Sequence, residues 1–314
     1  MKETKKTAIG GQAVIEGIAM RGQKVTVLAC RLPDGKIETE QFENKQVNKL
    51  FKWPLIRGLF NMIVMMIDGY KYLSLSMEKS GLFDEDEENE ENKKNEKTGE
   101  TSKNKDKKIT QTLVNVVGAA LGVVLSIGLF MWVPQILTKM LDLKSGNGAK
   151  SVIEGCIKVF LLISYMWITS LLKDIKRVFE YHGAEHKTIA CYEKGLELVP
   201  ANVRKCTRFH PRCGTSFILI TLIVSIIVSA PFHWENLILR MIIKLLLLPV
   251  VVGISYEVIK LVGRHDGVLS RIVSAPGLWL QRITTSEPDD TQIEVAIEAL
   301  KGVLAHTDSS KDNW

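Results

Sequence analysis

The stretch LVNVVGAALGVVLSIGLFMWVPQIL, residues 113–137, runs for 25 positions without a charged side chain. At about 1.5 Å of rise per residue, such a helix crosses the ~30 Å hydrocarbon core of a bilayer. Three further stretches resemble it. Residues 152–172 hold Glu154 and Lys158 only near their start, residues 215–230 are short but uncharged, and residues 237–262 carry Arg240, Lys244, Glu257 and Lys260 near their two ends. Four transmembrane helices are expected, and four such runs argue against a soluble bundle.

The whole-chain averages conceal this. Over 314 residues, 46% are hydrophobic, 24% are charged and the net charge is +6, values ordinary for a globular protein. Residues 84–108 hold ten acidic and seven basic side chains, a composition with too little apolar surface to form a core, so the segment reads as a disordered tether. Five cysteines, Cys30, Cys156, Cys191, Cys206 and Cys213, show no repeated spacing, and MKETKKT precedes no signal-peptide core. A secreted disulfide scaffold is not indicated.

Lysine and arginine orient the spans, because short cytoplasmic loops are enriched in them. Residues 173–214 contain nine, 139–150 three and 231–236 none, and Lys103, Lys105, Lys107 and Lys108 precede the first span. A multi-pass protein of the cell membrane is expected, with both termini and the central loop cytoplasmic.

Outside the spans, residues 25–31 alternate into Pro33-Asp34-Gly35 and on to 36–42, the pattern of a β-hairpin. Residues 9–21 hold Gly10, Gly11 and Gly17, which read as backbone turns in a small sheet and alternatively as points of close approach to a ligand. The stretch 53–76 is apolar but broken by Pro54, Gly58, Asp68 and Gly69, so a helix at the interface or under the bundle is expected rather than a fifth span. Residues 264–282 contain turn residues and Trp279. Near the C-terminus, Ile293, Ala296, Ile297, Leu300 and Leu304 recur at helical spacing behind Asp289 and Asp290, which suit a helix N-terminus.

The expected fold class is thus mainly α: a polytopic membrane protein with about four transmembrane helices, an N-terminal β-hairpin region and a C-terminal amphipathic helix. Its parts are residues 1–83 with the hairpin and interfacial helix, the charged linker 84–108, the transmembrane region 109–262 with its loop 173–214, and the cytoplasmic segment 263–314.

The chemistry gathers in that loop. His182 and His186 frame an H-x-x-E-H pattern; four residues apart on a helix, both imidazoles can reach one metal ion, while Glu185 can handle a proton of bound water. His210 and Cys213 lie in a Pro211/Gly214 turn just before the third apolar stretch and add two further zinc ligands by type. Glu257, within the fourth apolar stretch, needs a partner or a function. With Lys260 or a nearby arginine it is an ion pair; with the histidines it is a fifth metal ligand. All five candidate ligands fall at one membrane face. A divalent metal, zinc by the mixed donor set, is the expected cofactor. Four protein ligands would close the shell, whereas three plus water would leave a catalytic position served by Glu185 as general base.

At these residues the chain resembles the YqhQ-like family of bacterial integral membrane proteins, a family of unknown function described as predicted metal-dependent enzymes. The resemblance rests on GGQAVIEGIAMRG at 10–22, EYHGAEHKTI at 180–189, RFHPRCGTSF at 208–217, GISYE at 253–257 and LQRITTSEPDD at 280–290. It implies metal-dependent enzymology and no particular substrate.

Three functions compete. The first is an integral-membrane metal-dependent hydrolase with its site at the cytoplasmic membrane face. The second is a scaffold with a structural His/Cys zinc site that recruits a membrane partner. The third is a transporter using Glu257, a reading weakened because no inverted repeat is evident. The expected partners are the lipid bilayer and an unidentified substrate or membrane protein, with no nucleic acid.

Overall fold

The computed structural model describes residues 6–44, 53–81, 117–118, 120–141, 147–231, 237–264 and 267–307. The charged stretch 84–108 lies outside the described residues, as does the start of the first apolar run. The chain is mainly helical, with one small N-terminal antiparallel sheet.

The hairpin expected at 25–42 is present and is half of a four-stranded meander: β1 (Gly10–Val14), β2 (Gly17–Arg21), β3 (Val25–Arg31) and β4 (Ile37–Glu43), paired in that order. Gly35 at φ +85° closes the β3–β4 turn, where the Asp34 carboxylate accepts the Lys36 backbone N–H at 3.0 Å. The register pairs Cys30 with Gly17 and with Glu38.

Strands β2 and β3 are buried almost throughout, which requires cover on both faces of the sheet. On one face Ile18, Met20, Val27 and Ala29 join a core with Tyr181, Ala184 and Ile189 of α4 (Lys173–Glu193) and Ile293, Ala296 and Leu300 of α9 (Asp290–Leu304). On the other, Val14, Ala19, Leu28 and Cys30 pack with Tyr72 of α1 (Ile56–Lys79), beside Phe42. Helix α9 begins with a capping box, in which Asp289 accepts from the Gln292 backbone and Gln292 returns to the Asp289 N–H. It buries Val295, Ala299 and Val303 besides Ile293, Ala296, Ile297 and Leu300 of the expected stripe, with Leu304 partly buried, because it lies between the sheet and α4.

The remaining helices are α2 (Val133–Met140), α3 (Asn147–Thr169), the single turn α5 (Pro200–Val203), α6 (Gly214–Ser229), α7 (Leu237–Arg264) and α8 (Val268–Thr284). A π-helical turn, Gly128–Trp132, precedes α2. Helix α8 occupies ground read from sequence only as turn residues; Pro276 stands inside it. Among the described residues, three helical stretches are long and apolar enough to cross a membrane: Ala120–Met140, Ala149–Thr169 and Met241–Arg264. The expected third span, α6, has 16 residues and reaches about 24 Å, short of the ~30 Å core. It therefore stands apart from the other three.

The chain divides into two compact units. One comprises residues 1–83, 163–225 and 247–314, and the other 84–162 and 226–246. Within the second, Lys158 and Lys244 both bond the buried Glu154 carboxylate, Lys158 at 2.8 Å. That is how this acidic group is accommodated in an apolar helix. The candidate site lies in the first unit.

Candidate metal centre

Helix α4 carries His182 and His186 one turn apart, with ring centroids 4.4 Å from each other. Of its eleven residues from Tyr181 to Cys191 ten are buried, and His182 is half-buried. Gly183 allows this packing: a Cβ there would collide with the Ser286 carbonyl oxygen, and Ser286 in turn donates its N–H to Phe179 at 2.9 Å. The 280–290 block thereby lies across the H-x-x-E-H turn.

That packing fixes both imidazoles. His182 Nδ1 is 2.9 Å from the Thr284 carbonyl oxygen, and His186 Nδ1 is 2.5 Å from that of Arg208. Carbonyl oxygens only accept, so both Nδ1 atoms bear a proton and Nε2 is the atom through which each ring can ligate once it is deprotonated there. This is how metal-binding histidines are commonly oriented. His182 Nε2 lies 3.2 Å from Cys213 Sγ. One ligand atom from each of His182, His186 and Cys213 lies within 4.8 Å of the other two. Two ligands at about 2.0 and 2.3 Å from a tetrahedral zinc are themselves about 3.5 Å apart, a spacing that the His182–Cys213 separation approaches.

Its electrostatics favour a thiolate. Burial pushes the Cys213 thiol up, but His182 and His186 outweigh it and hold the thiol well below its ordinary range. Burial likewise opposes a charged His182, yet the facing Cys213 raises it to about 9. Glu185 is buried with Oε2 lacking a hydrogen-bond partner among the described residues. Burial raises its carboxyl, and Cys213 adds to this against the two histidines and the Gly11 N–H. Gly11 of β1 has no room for a side chain, since a Cβ would stand 2.9 Å from Glu185 Cδ. The close approach that a glycine permits here is to a carboxyl group of the site.

His210 and Glu257, the other two expected ligands, are placed otherwise. His210 adjoins the cluster, its ring 5.6 Å from that of His186, but its Nε2 accepts from Arg212 at 3.1 Å. Burial lowers its pKa; His186 and Arg212 reinforce this against Glu193. Arg212 is bound by Glu193. The His210 backbone is clamped by the Gln281 amide, which accepts from its N–H at 2.8 Å and donates to its carbonyl at 2.7 Å. Glu257 is not in the group of three: it accepts from Arg57 Nε at 2.7 Å, so the ion-pair alternative is the one realised, with an arginine from α1.

Four residues that shape the site were not singled out in the sequence. Glu193 had a signal, being seven residues after His186 and so on the same helix face. Thr284 and Arg208 act through backbone carbonyls, which carry no residue-type signal, and Gln281 acts through an amide without a motif.

The cluster thus combines a His₂Cys donor set with a buried carboxyl, an arrangement able to hold a divalent cation and move a proton beside it. No solved structure is matched by this chain. It is 38% identical over 312 residues to the "Uncharacterized protein YqhQ" of Bacillus subtilis (strain 168), covering 98% of this chain and 95% of that one. Residues 53–306 match the family described as "Protein of unknown function (DUF1385)". The chain belongs to that family.

Proposed function

We propose that the protein is a membrane-bound, metal-dependent hydrolase in which His182, His186 and Cys213 hold a divalent cation and Glu185 is the general base. The observation that carries this reading is the orientation of the imidazoles: each spends Nδ1 on a backbone carbonyl, leaving Nε2 for the space shared with Cys213 Sγ. Zinc suits the donor set best. When held by His182, His186 and Cys213, the cation would supply Lewis acidity to a substrate oxygen and a neighbouring water. Glu185 takes a proton from the attacking water and returns it to the leaving group. Its raised pKa suits both directions of transfer, and burial keeps competing water away from it.

For topology, the proposal keeps α6 as a fourth, short span and places the site and both termini on the cytoplasmic side. The support is the lysine and arginine content of residues 173–214. The membrane boundary then brings the site near substrates partly buried in lipid.

Cobalt substitution tests the reading without a substrate. The Co(II) protein should show a thiolate charge-transfer band that Cys213→Ser abolishes, and a visible spectrum that changes when a hydroxamate is added. Glu185→Gln should bind cobalt normally. A thiolate band indifferent to hydroxamate in a four-coordinate spectrum would point to a closed structural site, with His210 as the available fourth ligand.

A further inference from the structure

Helix α1 is joined to α7 at an unexpected height. Gly253 lies twelve residues from Met241 and eleven from Arg264, at the centre of that candidate span. A Cβ on Gly253 would stand 2.8 Å from the Cα and carbonyl oxygen of Leu55, and a Cβ on Gly58 would stand 2.7 Å from Tyr256 Cβ. The two backbones therefore touch through paired glycines at mid-span. Three polar ties accompany the contact. Arg57 forms a two-pronged pair with Glu257, Asn61 donates to the Tyr256 hydroxyl at 2.9 Å, and the Leu55 N–H faces the Glu257 carboxylate. Leu55 is held at φ +71° to make this turn, a conformation costly for a leucine.

An ionised Glu257 inside a span requires a countercharge at its own depth, and Arg57 is that charge. The residues after Arg57 are uncharged until Asp68. From Gly58 to Gly69 a helix rises about 16 Å, close to half of a ~30 Å hydrocarbon core. At the far end the surroundings become aqueous in character: Asp68 pairs with Arg21 of β2 at 2.7 Å, Gly69 meets the Gln12 amide of β1, and Lys79 bonds Glu38 of β4 at 2.6 Å. Between these ends Ile56, Ile63, Met65, Met66 and Ile67 are exposed, a surface suited to acyl chains and costly in water.

We infer that α1 is a half-membrane helix: residues 56–67 are immersed in one leaflet from the bilayer centre outward, their exposed face against lipid acyl chains, and the helix emerges at Asp68 to dock on the sheet. This rests on α7 spanning the membrane. It differs from a helix lying flat at the interface, whose residues would all sit at one depth. It also gives Glu257 a role in anchoring α1.

Single nitroxide labels on the full-length protein in phosphatidylcholine–phosphatidylglycerol vesicles test it. The background is Cys156→Ser, Cys156 being exposed and the other four cysteines buried. Labels go at Ile56, Ile63, Ile67 and Lys71, with Val250 of α7 as the depth reference; all five are exposed. The ratio of oxygen to nickel-chelate collisions should match that of Val250 at Ile56, fall stepwise through Ile63 and Ile67, and drop several-fold by Lys71. Equal shallow depth along α1, or water at Ile56 and Ile63, with Val250 still deep, would overturn the half-membrane helix while leaving the spanning of α7 intact. Water at Val250 would remove the spanning of α7, and the immersion of α1 with it.

Discussion

Gly11 and Glu185 occupy one space between them: the carboxyl group of the helix fills the position where a side chain on the strand would begin, 2.9 Å from an ideal Cβ. Gly11→Ala should therefore displace Glu185 and destabilise the protein by about 1–3 kcal/mol, as overpacking does. Glu185→Ala should rescue most of that loss by vacating the space, a coupling that thermal unfolding of the two single variants and the double variant can measure. Equal destabilisation by Gly11→Ala in both backgrounds would mean that the contact is not limiting.

Gly183→Ala acts at a distance of one residue from His182, a proposed ligand. The added methyl must push away the Ser286 carbonyl, and with it the segment whose Thr284 carbonyl orients His182. Metal affinity should fall about 10–100-fold, the usual cost of losing an orienting partner, with all ligands still present. Chelator competition on purified protein reads this directly.

Metal affinity should rise with pH. The cation must displace the proton shared in the His182–Cys213 pair, and His182 retains that proton up to about 9. Below that value each cation bound releases about one proton, so affinity increases up to about tenfold per pH unit and levels off above it. Titration in weakly chelating buffers should show proton release; a flat profile between neutral pH and His182's value would mean that the pair is not where metal binds.

Breaking the Arg57–Glu257 pair should cost more than removing it whole. Arg57→Met or Glu257→Met alone leaves an uncompensated charge and should lower stability by about 3 kcal/mol, because exposure to lipid, unlike exposure to water, does not screen it. The double variant should be closer to wild type than either single one. Thermal unfolding in detergent decides it, and additive losses would refute the pairing argument.

Much of this was legible beforehand because local chemistry signals it. Pro33-Asp34-Gly35 announces its turn, and the spacing of His182 and His186 announces a shared helix face. Cys213 was readable as a zinc-type ligand, although only folding brings it to His182. Gly11 was ambiguous for the same reason, since nothing near it in sequence shows that Glu185 comes to meet it. Glu257 was readable as a residue requiring a partner, but Arg57 lies 200 positions away and no periodicity links them. His210 has the residue type of a ligand, and its engagement with Arg212 and Glu193 is set by tertiary packing. The short α6 shows the limit of hydropathy: its composition is that of a span, and only its length departs.

The placement of α9 bears on the order in which the molecule can be made. The helix that carries the histidines is covered on one side by a sheet that precedes it in the chain and on another by α9, which follows it by about a hundred residues. Until the ribosome has released α9, Tyr181, Ala184 and Ile189 lack the apolar side chains of Ile293, Ala296 and Leu300, and the Thr284 carbonyl that orients His182 has only just been made. The apolar helices before α9 emerge while translation continues, whereas the pocket of His182, His186 and Cys213 can close only once α9 has emerged as well. Acquisition of the proposed cation would thus wait for α9, and a stop before residue 290 would leave the three candidate ligands without the cover that closes their pocket.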